Sequence, residues 1–338
     1  MKKIKYVIKS ILNMDFKGFF NVISRLSKKT HKSKIFLFFD IIYCGFAYMA
    51  GYADYELFEF YNLKRYQRKT VITRGQNDKI VKMFNGKDYI DEIDDKLVFH
   101  ERYKKYLNRD YLDLRKTSCD EFISYMKSKH VAMAKALDQT GGNGVDKIDD
   151  KQDLTKLYNK LLSNKQYLVE DYIVQHKDIS KIYPCSVNTL RIVTLYKNNK
   201  VHIMYRGIRF GNKGHTVDNF HSGGMFTIID EDGVIRKPAA DKKRDVYSLH
   251  PYTNEKIVGF TVPYFKETID YCIALAKVTP SVGYIGWDIA VTPNGPTVIE
   301  GNSYPGHVLY QSKIHLDDSG IGMLPAFQKI INEEGETK

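Results

Sequence analysis

The sequence lacks the residues that build covalent or metal-bound scaffolds. Its four cysteines, Cys44, Cys119, Cys185 and Cys272, are scattered, with no Cys-x-x-Cys and no Cys/His ligand spacing. That excludes a structural zinc site or a disulfide framework and suits a reducing compartment. Tryptophan is nearly absent, Trp287 being the one example. No apolar run reaches the ~20 residues that cross a bilayer. The strongest run, IFLFFDIIYCGFAYMA at 35–50, is shorter and is interrupted by Asp40, so it reads as a buried helix, one that can also lean on a membrane surface. A signal peptide is not expected, because the 34 residues ahead of that run make too long an n-region. Internal repeats and low-complexity segments are also lacking.

Acid is scarce at the start of the chain. Residues 1–34 hold ten Lys/Arg and one acid, Asp15, so they carry +9 of the total +12. The remainder is close to neutral, whereas a nucleic-acid enzyme spreads its basic residues over the globular part; no nucleic-acid partner is expected. Ile4, Val7, Ile8, Ile11 and Leu12, then Phe16, Phe19, Phe20, Ile23 and Leu26, recur at helical spacing with lysines between them. This is a basic amphipathic arm, broken near Lys17-Gly18. It either lies on an anionic membrane surface or packs on the protein itself.

What is present is a large α+β body. Its 338 residues, 43% hydrophobic, can bury two or three lobes. The expected division is a helical arm over 1–50, a mostly helical segment over 51–115 and two α+β subdomains over 116–180 and 181–338. Asp54, Tyr55, Phe58 and Arg68 are expected to pack rather than line a groove.

Three constellations carry chemistry. The first is GYIGWDIAVTPNGPTVIEGNSYPG at 283–306, two strands joined by a turn at Pro293–Pro296. Asn-Gly between alternating apolar residues is a strong hairpin signal. Pairing about Asn294 sets Asp288 opposite Glu300 and Asn302 opposite Gly286, whose missing side chain leaves space. Like charges in register repel unless a cation lies between them. Oxygen-only ligands suit Mg²⁺ or Mn²⁺; the other reading is a solvated acidic face. The second is VAMAKALDQTGGNGV, which puts Lys135 at a strand end before Gly141, Gly142 and Gly144. Such glycines let main-chain N–H groups approach a phosphate, although the spacing is neither a P-loop nor a dinucleotide fingerprint, and an ordinary glycine-rich hairpin reads the same. The third is YLVEDYIVQH, a strand whose end around Glu170, Tyr172 and Ile173 offers main-chain groups beside apolar walls, as an adenine ring requires.

In this order and spacing the three pieces resemble the ATP-grasp superfamily, and SVNTLRIVT, VDNFHSGGM and GWDIAVTPNGPTVIEGN resemble its sugar-transfer-associated branch. The resemblance covers residues 50–325. It implies an ATP-grasp fold, two α+β subdomains gripping ATP, behind a helical N-terminal region. Asp288, Glu300 and Asn302 would hold Mg²⁺ on the ATP phosphates. Lys135 would touch the α- and β-phosphates, with Lys96 as a second phosphate lysine. The loop over Gly141–Gly144 would close as a lid, and Glu170 and Ile173 would bracket the adenine. Where most such enzymes place a ribose-binding acid, this chain has Lys177 followed by Asp178, and Asp178 takes that expectation. Arg191, Arg209, Asn219, Ser222, Gly223 and Gly224 suit an anion pocket for the substrate, although Arg191 also reads as the partner of an acid inside the sheet.

The implied activity is a carboxylate–amine ligase. ATP phosphorylates an acid, and an amine displaces phosphate from the acyl phosphate. The family name points to surface polysaccharide, with a free or glycan-linked carboxylate and an amine as substrates. The expected location is cytoplasmic, with the arm at the inner face of the membrane. A kinase of a sugar or polyol hydroxyl on the same fold, or a non-catalytic scaffold at a glycan-assembly complex, are the alternatives.

Overall fold

The structure is a computed structural model and describes residues 15–137, 144–220 and 223–333. The chain divides into two compact units, residues 1–83 with 306–338, and residues 84–305. The segment expected as 181–338 is therefore shared between them.

The first unit is helical. Helix α1 (Phe16–Thr30) starts where the Asp15 carboxylate accepts from Gly18 N at 3.0 Å, and it ends on Lys28 and Lys29, which suit its negative pole. It runs unbroken through Gly18, because that glycine sits in the capped first turn, where its missing side chain leaves room for the Asp15 carboxylate. Helix α2 (Lys34–Tyr48) is capped by Ser33. Phe19, Val22, Ile23 and Leu26 of α1 and Leu37, Ile41 and Cys44 of α2 form one core with Tyr55, Phe58 and Phe60. The described part of the arm thus packs on its own unit. Arg68 forks onto Asp40 at 2.7 and 2.9 Å, so Asp54, Tyr55, Phe58 and Arg68 all pack as expected. The Gln311 side chain joins the two chain segments, accepting from Ile72 N at 2.7 Å and donating to Ile72 O at 3.0 Å.

The second unit holds two antiparallel sheets. The smaller one has the order β1-β4-β2-β3, with β1 Tyr111–Asp113, β2 Val131–Lys135, β3 Val145–Asp149 and β4 Leu168–Asp171. Helices Cys119–Lys129 and Leu154–Ser163 supply Phe122, Met126, Leu157 and Leu161 to its core. The larger sheet has the order β11-β10-β5-β6-β7-β8-β9, with β5 Leu190–Lys197, β6 Lys200–Phe210, β7 Met225–Ile228, β8 Ala239–Ala240, β9 Val246–Tyr247, β10 Tyr284–Thr292 and β11 Gly295–Asn302. One face of it buries Ile192, Ile285, Trp287 and Ile289 with Leu275 and Cys272 of helix Phe265–Ala276. Trp287 donates to Thr194 Oγ1 at 2.9 Å. The opposite face of β10 carries the carboxylates.

Candidate active site

The β10–β11 hairpin turns through Pro293-Asn294, since Thr292 pairs with Gly295. A turn this tight would set Asp288 opposite Ile299 and send Glu300 to the Trp287 face. A bulge prevents that: the ladder passes from Ile289↔Val298 to Asp288↔Glu300, leaving Ile299 as the extra residue. Gly286 then faces Asn302. Asp288 also pairs with Arg191 on β5, and Arg191 with Gly207 on β6. Directly opposed residues share a face, so Arg191, Asp288 and Glu300 form one row across three strands, with Arg209 two residues beyond Gly207 on the same side.

Asp288 is clamped. Arg191 donates from Nε and Nη2 at 2.5 and 3.0 Å, and Arg209 from Nη2 at 2.6 Å. Burial alone would raise the Asp288 carboxyl, but the two guanidinium groups outweigh it and hold it below the usual carboxylate range. Arg209 also donates to Thr189 Oγ1 at 2.7 Å, and Thr189 Oγ1 donates to the buried Asp218 at 2.5 Å. The space above Gly286 is taken, because the Arg191 Nη1 lies 3.2 Å from where a Cβ would stand. Both arginines therefore hold an acid inside the sheet, and the expectation of an empty space at Gly286 is corrected. Glu300 is different. It accepts no hydrogen bond among the described residues, and burial with the neighbouring Asp288 charge raises its carboxyl above the usual range against the pull of Lys135 and both arginines.

On the smaller sheet, Met133 pairs with Glu170, so Glu170 and Lys135 lie on one face. Glu170 is buried and ion-paired to Lys135. It accepts from His100 Nε2 at 2.7 Å and Arg109 Nε at 3.0 Å. Despite burial, the charges of Arg109 and Lys135 and the His100 contact hold its carboxyl well below the usual range. Arg109 reaches on to Val298 O at 2.6 Å, tying this sheet to the hairpin. Lys96, on the first turn of helix Lys96–Arg102, donates to Ala136 O at 2.8 Å and Leu137 O at 3.2 Å. Lys96 and Lys135 thus meet at the end of β2. Gly141 and Gly142 lie outside the described residues; Gly144 opens β3 with φ +65°. His100 and Arg109 were missed by the sequence reading. They carry no motif, and only their distance contacts reveal them.

After Asp171 the chain leaves the sheet, and Tyr172, Ile173 and Val174 make no main-chain hydrogen bond among the described residues. Tyr172 is exposed, with the Lys147 ammonium 4.6 Å from its ring centre. The Glu170 side chain turns away to its cations, so only main chain there is available to a base. Asp178, in the first turn of helix Lys177–Ile182, pairs with Lys181 at 3.1 Å. In the loop before β7, Gly223 has φ +96° and Gly224 N donates to Asn219 O at 3.0 Å. A Cβ at Gly224 would stand 2.3 Å from Asp218 O, so only glycine fits. This loop abuts Asp218 and so joins the Thr189–Arg209 network. Ser222 lies outside the described residues.

Residues 131–315, which include every strand of the two sheets except β1, match the family model described as sugar-transfer associated ATP-grasp. The chain belongs to this family. Among solved structures it is similar to D-alanyl-alanine synthetase A from Vibrio cholerae (12% identity, 72% of this chain and 62% of that one, TM-score 0.43). It is also similar to an L-amino acid ligase from Bacillus licheniformis (13% identity, 73% and 51%, TM-score 0.42). The chain therefore spans less than two thirds of the length of either. No curated protein matches the sequence.

ATP-grasp membership implies a nucleotide with a divalent cation, and the donor set fits one. A carboxylate offers about four lone-pair sites; Asp288 uses three on its arginines and keeps one. Glu300 keeps all of its own, and Asn302 spends only its amide N–H, on Gly286 O at 3.3 Å. Two carboxylates and an amide oxygen on one face make a hard, oxygen-only set. Among the described residues no group of three His, Cys, Asp or Glu forms a rival site.

Proposed function

We propose that the protein is an ATP- and Mg²⁺-dependent ligase that joins a carboxylate to an amine through an acyl phosphate, in the assembly of a cell-surface polysaccharide. The observation that carries this reading is Glu300, which faces Asp288 across the hairpin, accepts no hydrogen bond among the described residues, and has its carboxyl raised by burial and the Asp288 charge. A metal on Asp288, Glu300 and Asn302 would supply charge neutralisation at the β- and γ-phosphates. The main chain of Tyr172–Val174 receives the adenine edge. Asp178 takes the ribose. Lys96 and Lys135 neutralise phosphate oxygens beside the end of β2, where Gly144 O accepts from Ala136 N. Arg209, with Asn219, Gly223 and Gly224, orients the acid so that its carboxylate oxygen lies in line with the γ-phosphorus. The acid takes the phosphoryl group and ADP leaves. The amine then forms the C–N bond, losing a proton, and phosphate leaves. Closure over the site keeps water from the acyl phosphate.

The test is an ADP-release screen of amino acids crossed with uronic acids, read by mass spectrometry. ADP released with an acid, and phosphate freed only when an amine is added, with an amide product, supports the ligase. ADP release that needs a single hydroxyl acceptor replaces it with a kinase. No Mg²⁺-dependent turnover with any pair leaves a scaffold.

A further inference from the structure

Helix α2 is buried on one side only. Its inner face is buried, but its outer face presents Ile35, Phe36, Phe39, Tyr43 and Phe46 to solvent, Ile35 being 72% and Phe39 65% exposed. These positions fall on one helical stripe. Phe16 and Phe20 of α1 are exposed as well. Between the helices a groove of about 530 Å³ is lined by Phe20, Ile35, Phe38 and Phe39, with Lys34 at its edge. An apolar patch of this extent on a folded surface marks a docking site.

Charge identifies what docks. The stretch 15–50 holds six Lys/Arg, of which Arg25 and Lys29 pair with Glu56 and Glu59, against Asp15 and Asp40, and Arg68 neutralises Asp40. At Tyr43 the stripe runs into a second cavity of about 440 Å³, walled by Tyr48, Arg65, Arg68 and Lys69. Arg68 is spent on Asp40 and the main-chain oxygens of Phe60 and Leu63. The Arg65 and Lys69 side chains make no hydrogen bond or ion pair among the described residues. An aromatic stripe that ends at uncommitted cations is the arrangement of a surface lying at a lipid interface: rings at the acyl boundary, cations at the phosphate level. No described helix is long and apolar enough to cross a membrane. At 15 residues α2 is about 22 Å long, which suits a helix lying flat.

We propose that the outer face of α2 docks on an anionic phospholipid bilayer, with Arg65 and Lys69 receiving lipid phosphate. This assigns docking to α2 rather than to the Phe19, Ile23 and Leu26 face of α1, which is buried. It does not rest on the ligase reading.

The test is sedimentation of the full chain with phosphatidylcholine vesicles, with or without phosphatidylglycerol, alongside sedimentation velocity without lipid. The wild type should bind the anionic vesicles and release them as salt rises. Ile35→Ser/Phe39→Ser should lose at least about tenfold in binding while its melting curve is unchanged, because both side chains are exposed. Arg65→Gln/Lys69→Gln should lose the preference for anionic lipid. Three results overturn the proposal: no binding to anionic vesicles; binding that survives Ile35→Ser/Phe39→Ser but is lost on deleting residues 1–14; or a wild-type dimer that the serine pair dissociates, which would make a second copy the occupant.

Discussion

Asp288 and Glu300 face each other across one hairpin, yet they differ in what holds them. Asp288 accepts hydrogen bonds from two arginines, whereas Glu300 accepts none among the described residues. Asp288→Asn should abolish ATP turnover and also cost about 3–5 kcal/mol, because it strands two inward-facing guanidinium groups; a thermal melt alongside an ADP assay reads both. Glu300→Gln should lose about a hundredfold or more in turnover without loss of stability. Since the folded protein holds the Glu300 proton above the usual carboxylate pKa, stability tied to that group is present at low pH and is lost as pH rises through the raised value. Without metal, the melting temperature of Glu300→Gln should therefore overtake that of the wild type as pH rises, and Mg²⁺ should stabilise only the wild type. Glu170 has the opposite sign. Its lowered carboxyl contributes stability that is lost as pH falls through the carboxylate range toward the depressed value. Glu170→Gln should cost about 3–5 kcal/mol at neutral pH and should flatten the acid limb of the melting curve. The residue types at these positions were legible in the sequence. Their partners were not, because Arg191 lies 97 residues from Asp288 and His100 lies 70 from Glu170.

At the scale of elements, the hairpin was readable from Asn294-Gly295 and its flanking alternation, and Asp288↔Glu300 was the expected pair. The turn is one residue tighter than expected, and the bulge at Ile299 restores the register. Nothing in the local pattern marks that bulge, since Val298 and Ile299 are both apolar and either fits a strand. Behind it, Gly301 lets the hairpin lie against Ile93, Phe99 and Trp287; a Cβ there would stand 2.9 Å from Ile93. Gly301→Ala should cost about 1–3 kcal/mol, visible in a urea melt, and should weaken turnover by tilting Glu300 and Asn302. Helix Cys119–Lys129 starts where its Ser118/Glu121 capping box is written in the sequence. Helix α2 did not reveal its exposed face, because a nearly all-apolar helix has no polar side to point outward.

At the scale of the molecule, the proposed nucleotide site lies within the unit 84–305. ATP with Mg²⁺ at a hundredfold excess over Kd should stabilise it by about 2.7 kcal/mol. Hydrogen exchange should slow in residues 131–135, 170–174 and 284–302 and stay unchanged in α1 and α2. Protection in the helices alone would remove the assigned site.

The amino-acid order by itself determined the hairpin, the strand carrying Lys135, the family and the concentration of positive charge at the start of the chain, since all of these are written in short spacings. Only tertiary structure decided that Asp288 is shared between two arginines, that Glu300 accepts no hydrogen bond among the described residues, that Glu170 gathers three basic groups and that the outer face of α2 is bare. Each of these depends on which distant segments come to lie side by side, and burial then turns their charges from screened surface groups into strong, mutually dependent ones.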